Sequence, residues 1–290
     1  MEAMTELKLQ SGTARFRFGG HSDRGAVRRL NEDSFLVSLP LFAVADGMGG
    51  HAFGDLASQA AVNALSGAFS GTIRATAPQV LEAIHRANEA VLAVSGGSGV
   101  VSGTTVSGVA FVAIGPTESP HWMAFNVGDS RIYRWDGRHL LQLSVDHSAV
   151  QELVDLGEIT RLQAITHPDR NIVTRALGAD TIVDPDIWLL PARGRQTFLL
   201  CSDGLTKELS DDEIARIIVF HGSEQVRESD GLPITLAERL VRAAVAAGGS
   251  DNVTVVIVES DLVGSDSTSS EDTVDRDAMP GFLETTKPRR

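Results

Sequence analysis

Four aspartates, spread over most of the chain, share one local setting. Each stands next to a glycine or an asparagine, and each lies where a predicted strand ends or begins: Asp46, Asp129, Asp203 and Asp251. Each of them, taken alone, is also compatible with an ordinary turn, because aspartate and glycine are common turn residues. If their strands are neighbours in two packed sheets, however, the four carboxylates converge at one edge of the molecule.

Converging carboxylates predict a metal site. They repel one another, and their pKa values rise unless cations occupy the space between them. No cluster of histidine or cysteine accompanies them, and oxygen ligands alone indicate Mg²⁺ or Mn²⁺ rather than zinc. Two such ions hold a bridging water, lower its pKa and orient it for in-line attack on phosphorus. The residues themselves therefore suggest a metal-dependent phosphoryl hydrolase.

A charged loop before Asp46 supplies further polar groups. It contains a cationic pair, Arg28 and Arg29, and an acidic pair, Glu32 and Asp33. An arginine fork suits the oxygens of a phosphate that is held beside metal ions. The alternative is a solvated charged loop without a role in chemistry.

The elements that must position these residues follow from hydrophobic periodicity. Residues 41–45 form an apolar run that stops at the glycine-rich stretch 46–51, which predicts a buried strand ending in a tight turn. Further strands are predicted at residues 14–18, 34–39, 104–114, 121–127, 132–135, 139–143, 187–190, 196–201 and 253–258. Helices are predicted at residues 54–69, 78–94, 149–156, 160–164, 214–220 and 232–246.

The order of these elements favours one fold class. Blocks of strands alternate with pairs of long helices, which favours antiparallel sheets covered by antiparallel helix pairs, an α+β layered domain. We expect this domain at residues 12–261. Residues 1–11 lack periodicity and are expected to be flexible, and the acidic, Ser/Thr-rich residues 262–290 are expected to be disordered.

The composition excludes several classes of protein. A net charge of −13 argues against nucleic acid or an anionic membrane as the main partner. The single cysteine, Cys201, excludes an internal disulfide framework and a thiolate zinc cluster. No membrane-spanning run and no signal peptide are recognisable, so we expect a cytoplasmic protein. We also expect His85, His147 and His167 to be surface residues rather than ligands.

Six short motifs occur in the order found in a known family. They are the loop 28–33, Asp-Gly-Met-Gly-Gly-His at 46–51, Gly-Thr-Thr at 103–105, Gly-Asp-Ser-Arg at 128–131, Ser-Asp-Gly at 202–204 and Asp-Asn-Val-Thr at 251–254. Each motif alone is weak, but the ordered set resembles the bacterial PPM-type (type 2C-like) metal-dependent protein serine/threonine phosphatases over residues 12–260. The resemblance implies a four-layer α-β-β-α sandwich, with a variable flap at about residues 146–168 that helps to select substrates.

The resemblance also implies a role for each site residue. Asp46 would bridge two Mn²⁺ or Mg²⁺ ions, Gly47 would offer its carbonyl oxygen to one of them, and Glu32 and Asp33 would support the first ion. In the same family pattern, Asp203 and Asp251 would bind the second ion. Asp129, together with Asp203, would bind a third and weaker ion. Arg28 would bind the phosphate of the substrate.

The general acid is the point at which the chain departs from animal members of the family. Many of those have a histidine after the metal-binding Asp-Gly, and this chain has Met48. His51 is one candidate for protonating the leaving oxygen, and a metal-bound water is another.

The function implied by the resemblance is hydrolysis of phosphoserine and phosphothreonine on proteins by a metal-bridging hydroxide, without a phospho-enzyme. The expected partners are phosphorylated proteins and a cognate bacterial serine/threonine kinase, and the expected state is a monomer. A catalytically weak or inactive member that binds phosphoproteins is the alternative, although the intact aspartates argue against it. A regulatory phosphatase that acts on an anti-sigma antagonist or a secretion component differs only in its partner.

Overall fold

A computed structural model describes residues 2–9, 12–49, 53–95, 102–223 and 234–264. Twelve strands are found there: β1 (Glu2–Leu9), β2 (Gly12–Asp23), β3 (Asp33–Ser38), β4 (Leu41–Met48), β5 (Gly103–Thr104), β6 (Val106–Ile114), β7 (Ser119–Val127), β8 (Arg131–Trp135), β9 (Leu140–Gln142), β10 (Asp186–Pro191), β11 (Gly194–Cys201) and β12 (Val253–Gly264). Seven helices accompany them in the described ranges: α1 (Gly54–Ala68), α2 (Ala77–Ser95), α3 (Ala149–Asp155), α4 (Arg161–Ala164), α5 (Asp203–Glu208), α6 (Asp211–Ser223) and α7 (Leu236–Ala247).

The strands form two sheets. One has the order β1-β2-β12-β11-β8-β9, and the other has the order β10-β7-β6-β4-β3 with β5 attached to β4. Neighbouring strands within each sheet are antiparallel, as the order of strand blocks and helix pairs predicts. The predicted α+β class with two antiparallel sheets is therefore confirmed.

Side-chain alternation along the buried strands produces the layers. In β4, Phe42 and Val44 point into the space between the sheets, whereas Leu41 and Ala43 pack with α1 and α2. On the opposite side of the molecule, Leu199 and its neighbours in β11 and β12 pack with α5, α6 and α7. Helices thus cover both outer faces, and the aromatic cluster around the fully buried Trp122 fills the centre.

The N-terminal segment differs from the expectation. Residues 2–9, expected to be flexible, form strand β1 and pair with β2 along its whole length. Leu7 is its one fully buried side chain, which is why hydrophobic periodicity did not reveal the strand. The last strand also runs on to Gly264, six residues past the predicted end, because β2 continues beside it. The rest of the tail, residues 265–290, lies outside the described residues.

One further helix was not predicted. Residues 203–208 form α5 directly after β11, where the Ser-Asp-Gly signal had suggested only a turn. The short helices α3 and α4 occur within a residue of their predicted positions. No helix in the described part of the chain is long and apolar enough to cross a membrane.

Candidate metal centre

The two sheets bring the predicted aspartates to one rim. In the first sheet, Asp203 follows β11, Asp251 precedes β12 and Asp129 precedes β8, and these three strands are neighbours. In the second sheet, Asp46 lies near the end of β4, directly opposite Asp33 on β3. The predicted convergence of the carboxylates is therefore present in the structure.

Asp46 lies within reach of the charges of the four other aspartates, Asp33, Asp129, Asp203 and Asp251. Burial, followed by the nearby charges of Asp33, Asp203 and Asp129, raises the pKa of its carboxyl well above the usual range. Its backbone is fixed by the Gly-Thr-Thr motif, since the Asp46 N–H donates to Thr105 Oγ1 at 3.0 Å and the Asp46 carbonyl accepts from the Thr105 N–H at 2.9 Å. The motif therefore holds the central carboxylate in place.

Asp33 is held from the first sheet. Its Oδ2 accepts a hydrogen bond from Ser202 Oγ at 2.7 Å, and Ser202 Oγ in turn accepts from the Thr254 N–H at 2.9 Å. Its other oxygen, Oδ1, is buried without a donor in the described part of the chain. Burial raises the pKa of Asp33 to about 7, against the lowering effect of hydrogen bonds from Thr254 and Ser202.

Asp203 and Asp251 share a cation from the protein itself. Lys207 Nζ lies 2.6 Å from Asp203 Oδ2 and 2.7 Å from Asp251 Oδ2. Burial raises the pKa of Asp203 despite this lysine. The pKa of Asp251 is lowered, because Lys207, the Asn252 N–H and the charge of Arg28 together outweigh its burial. Asp203 Oδ1 is a second buried carboxylate oxygen without a donor among the described residues.

Arg28 stands at the open side of the cluster. Its Nε donates to Asp251 Oδ1 at 2.8 Å and its Nη2 donates to Asp251 Oδ2 at 2.9 Å, a two-point arginine–carboxylate pair. The side chain is nevertheless 48% exposed. Glu32 lies close to it, and burial together with the charge of Asp55 raises the pKa of Glu32 against the lowering effect of Arg28.

Asn252 fixes the loop that carries Arg28. Its side-chain amide donates to the carbonyls of Arg24 and Leu30, both at 2.9 Å, and its Oδ1 accepts from the Glu32 N–H at 2.9 Å. Because Asn252 directly follows Asp251, these hydrogen bonds hold the charged loop beside Asp251.

Two glycines are required by close backbone contacts. A Cβ on Gly47 would lie 2.1 Å from the carbonyl oxygen of Gly54 and 2.6 Å from that of Glu32. A Cβ on Gly204 would lie 1.9 Å from the carbonyl oxygen of Asn252. The turn after Asp46 is thus packed against the backbone of Gly54 and Glu32, and the start of α5 is packed against the backbone of Asn252, which only glycine permits.

Asp129 is supported by a buried histidine. The Gly128 N–H donates to His147 Nδ1 at 3.0 Å, and His147 Nε2 lies 3.2 Å from Asp186 Oδ2. Burial, followed by the charge of Asp203, raises the pKa of Asp129 to about 7. The prediction that His147 is a surface residue was wrong: it is 8% exposed, and its backbone is paired on one side with Gly128 and on the other with Thr174.

The donor set fits a hard divalent cation. The described residues contain no group of three His, Cys, Asp or Glu side chains already gathered at ligand distance. Even so, five carboxyl groups converge against two cationic side chains, and two buried carboxylate oxygens have no donor. Such oxygens are what Mg²⁺ and Mn²⁺ require. Residue His51, the candidate general acid, lies outside the described residues.

The raised pKa values predict a pH-dependent stability for the metal-free protein. Asp33 and Asp129 titrate at about 7 when folded, against a usual value of 3.8, so the folded state binds more protons than the unfolded state between these limits. We expect the free energy of unfolding to fall as the pH rises from about 4 to about 7. Urea unfolding at several pH values in the presence of a chelator measures this slope.

The control for this slope is Asp129→Asn, whose side chain does not titrate. It should flatten the decline, and added Mg²⁺ should do the same in the wild type because an ion favours the charged carboxylates. A slope unchanged by both would contradict the raised pKa values.

Sequence reasoning missed Lys207, Asn252 and His147. Lys207 stands four residues after Asp203, a spacing that places both side chains on one face of a helix. The four-residue spacing is present in the sequence, but it has a structural meaning only if residues 203–208 are recognised as a helix. The roles of Asn252 and His147 depend on contacts across more than a dozen residues and had no local signal.

Comparison with known proteins agrees with this geometry. The family model described as protein phosphatase 2C matches residues 21–242. The serine/threonine phosphatase stp of Listeria monocytogenes is 37% identical over 251 residues, which cover 83% of this chain and 94% of the relative. The PPM Ser-Thr phosphatase MsPP of Mycobacterium smegmatis, solved with cacodylate, is 36% identical with a TM-score of 0.71, covering 85% of this chain and 98% of that one.

A third relative was solved with metal. The catalytic domain of the phosphatase PstP, in complex with two manganese ions, is 34% identical with a TM-score of 0.70, covering 85% of this chain and 99% of that one. The sandwich and its rim of carboxylates define a metal-dependent phosphatase. The chain belongs to the protein phosphatase 2C family, the PPM-type protein serine/threonine phosphatases of bacteria, as its motifs predicted.

Proposed function

We propose that the carboxylate cluster binds two Mn²⁺ or Mg²⁺ ions and that the chain uses them to hydrolyse phosphoserine and phosphothreonine on proteins. The observation that carries this proposal is the meeting of Asp46, Asp203 and Asp251 at one rim, next to a half-exposed arginine. When bound, the two ions lower the pKa of a water and neutralise the oxygens of the phosphate.

We assign each residue of the carboxylate cluster a separate role in holding the ions. Asp46, at the centre of the cluster, would hold both ions, and the Gly47 carbonyl oxygen would hold one of them. Asp33 and Glu32 would support the first ion, and Asp203 with Asp251 would hold the second. Asp129, whose pKa is raised in part by Asp203, would provide with it a third and weaker position.

Arg28 binds the phosphate of the substrate. Its guanidinium already makes a two-point contact with a carboxylate, and a phosphate presents the same pair of oxygens. The exposure of the side chain allows a phosphorylated residue to reach it from solvent. The phosphate is thereby oriented with its phosphorus toward the ions. His51 remains our candidate for protonating the leaving oxygen.

We also propose the partners of the chain, its location and its oligomeric state. The partners are phosphorylated proteins and the kinase that modifies them, in the cytoplasm, and the chain works as a monomer. The strong negative charge supports a protein rather than a nucleic acid partner. Residues 146–168, with α3 and α4, serve as the flap that selects among phosphoproteins.

The test is phosphate release from p-nitrophenyl phosphate and from a phosphothreonine peptide, with Mn²⁺ and with a chelator. We expect turnover of both that the chelator abolishes. Folded protein that binds the peptide without turnover in Mn²⁺ would contradict the proposal and favour the alternative of an inactive binding module.

Replacing Arg28 by alanine is expected to raise KM for the phosphothreonine peptide about tenfold, with a smaller change in kcat. The physical reason is that the guanidinium contacts the phosphate in the ground state as well as in the transition state. Steady-state kinetics at saturating Mn²⁺ measure the two constants separately.

Arg29→Ala is the matched control, because Arg29 is an exposed neighbour of the same charge. It should leave KM within about twofold of the wild type. Equal effects of the two substitutions would show that only the general charge of the loop matters, and would refute the role given to Arg28.

A further inference from the structure

The ammonium group of Lys207 lies between two of the carboxylates assigned to the second ion. Nζ is 2.6 Å from Asp203 Oδ2 and 2.7 Å from Asp251 Oδ2, and the side chain is 28% exposed. Helix α5 carries the lysine one turn after Asp203, so the contact is built into the helix itself. Asp251 receives Arg28 as well, so this carboxylate is held by two protein cations.

A divalent ion and this ammonium compete for the same place. Mg²⁺ coordinates carboxylate oxygens at about 2.0–2.1 Å, inside the hydrogen-bond distance of an ammonium. An ion bound to these two oxygens therefore enters the space that Nζ fills, and the two positive charges repel each other strongly at such short range. The ion and the ammonium group therefore cannot occupy this position at the same time.

We propose that Lys207 is a tethered counter-cation, which fills the position between Asp203 and Asp251 until a divalent ion displaces it. This inference rests on the proposed function, because it takes those two aspartates as ligands of the second ion. Lysine suits the role because its ammonium is a compact charge on a flexible stem of four carbons. The displaced head group moves out to solvent, which its partial exposure permits.

Two consequences follow for the protein. Without metal, Lys207 neutralises a pair of carboxylates that would otherwise repel each other across the start of α5 and β12. With metal, the ammonium must be displaced, so the Asp203–Asp251 position binds more weakly than the position around Asp46 and Asp33, which no lysine occupies in the described part of the chain. Lys207 therefore sets the concentration of divalent ion at which the second position fills.

Calorimetric titration of the full chain with Mn²⁺ tests this, with Lys207→Met as the variant. We expect the Mn²⁺ site that fills second to bind about tenfold more tightly in the variant, and the site that fills first to change little. Lys207→Arg keeps the charge and should stay within about threefold of the wild type. Lys8→Met is the matched control, because it removes the same charge from an exposed position on β1 and should leave both affinities unchanged.

A second measurement uses only the wild type and does not depend on how the variants fold. Brief acetylation with an amine-reactive reagent, read by mass spectrometry, should label Lys207 poorly without metal, since its ammonium is shared by two carboxylates. Saturating Mn²⁺ should raise the labelling of Lys207 several-fold. Lys8 serves as the internal reference and should not change.

The outcomes separate this inference from the proposed function. Mn²⁺ that binds to wild type and Lys207→Met with equal affinity, or labelling of Lys207 that does not respond to Mn²⁺, overturns the role of Lys207 and leaves the metal centre intact. Failure of Mn²⁺ to bind either protein overturns both. Tighter binding in Lys207→Met with unchanged binding in Lys8→Met supports the inference.

Discussion

Replacing Asp203 by asparagine is expected to lower kcat/KM for p-nitrophenyl phosphate about a thousandfold, at a fixed and moderate Mn²⁺ concentration. Asparagine keeps the shape of the side chain and removes the negative charge that an ion needs. The carboxyl lies between Asp46 and Lys207 and has one buried oxygen with no donor among the described residues. The loss should therefore appear both in the rate and in the affinity for Mn²⁺.

The same substitution should lower the stability of the folded protein only slightly. Burial already raises the pKa of Asp203, so a neutral side chain is well tolerated there, and Asp251 keeps Lys207 and Arg28. The melting temperature in a chelator should stay within a few degrees of the wild type. Asp261→Asn, at an exposed position on β12, is the matched control and should retain full activity. Activity of Asp203→Asn within tenfold of the wild type would contradict its assignment as a ligand.

Replacing Gly204 by alanine is expected to weaken Mn²⁺ binding about tenfold or more, and to lower the free energy of unfolding by about 2–3 kcal/mol. Alanine suits a helix, so the backbone of α5 does not resist it. The added Cβ, however, would lie 1.9 Å from the carbonyl oxygen of Asn252, a backbone atom that has little room to move. Helix α5 must then shift away from the residues before β12, which separates Asp203 from Asp251.

Gly67→Ala is the control for this substitution. Gly67 is an exposed residue of α1, and a Cβ built there meets no atom within 4 Å. Alanine at this position should raise the free energy of unfolding by about 0.5–1 kcal/mol and leave Mn²⁺ binding unchanged. Calorimetry and urea unfolding measure both quantities. A Gly204→Ala variant with wild-type stability and affinity would show that α5 is not wedged against Asn252.

The carboxylate cluster could be predicted because its signal is local. Asp46, Asp129 and Asp203 each follow an apolar strand and stand next to a glycine, and the two packed sheets bring these three strand ends to a common rim. The burial of β4 and β11 was accessible for a similar reason, since a continuous apolar run predicts a strand that is covered on both faces, here by the other sheet and by helices.

What could not be predicted depends on contacts between distant parts of the chain. Strand β1 buries one side chain fully and is held by its pairing with β2, so its own sequence carries little periodicity. His147 appeared to lie in a polar surface segment, but it is buried because it accepts the Gly128 N–H from the turn beside Asp129. Helix α5 was missed because the Ser-Asp-Gly sequence at its start also suits a turn.

Lys207 shows how one missed element conceals a functional group. Its four-residue spacing from Asp203 has structural meaning only inside α5, and its contact with Asp251 joins residues 44 positions apart. Sequence reasoning therefore identified the anions of the site and not the cation that the protein places among them.

The most direct test of the metal centre is a crystal structure of the Mn²⁺-loaded protein with an anomalous difference map recorded near the manganese absorption edge. Two strong peaks should lie within about 2.5 Å of carboxylate oxygens of Asp46, Asp203 and Asp251, with Asp46 contacting both. Peaks elsewhere, or a fully loaded crystal in which one of these three aspartates binds no ion, would contradict the account.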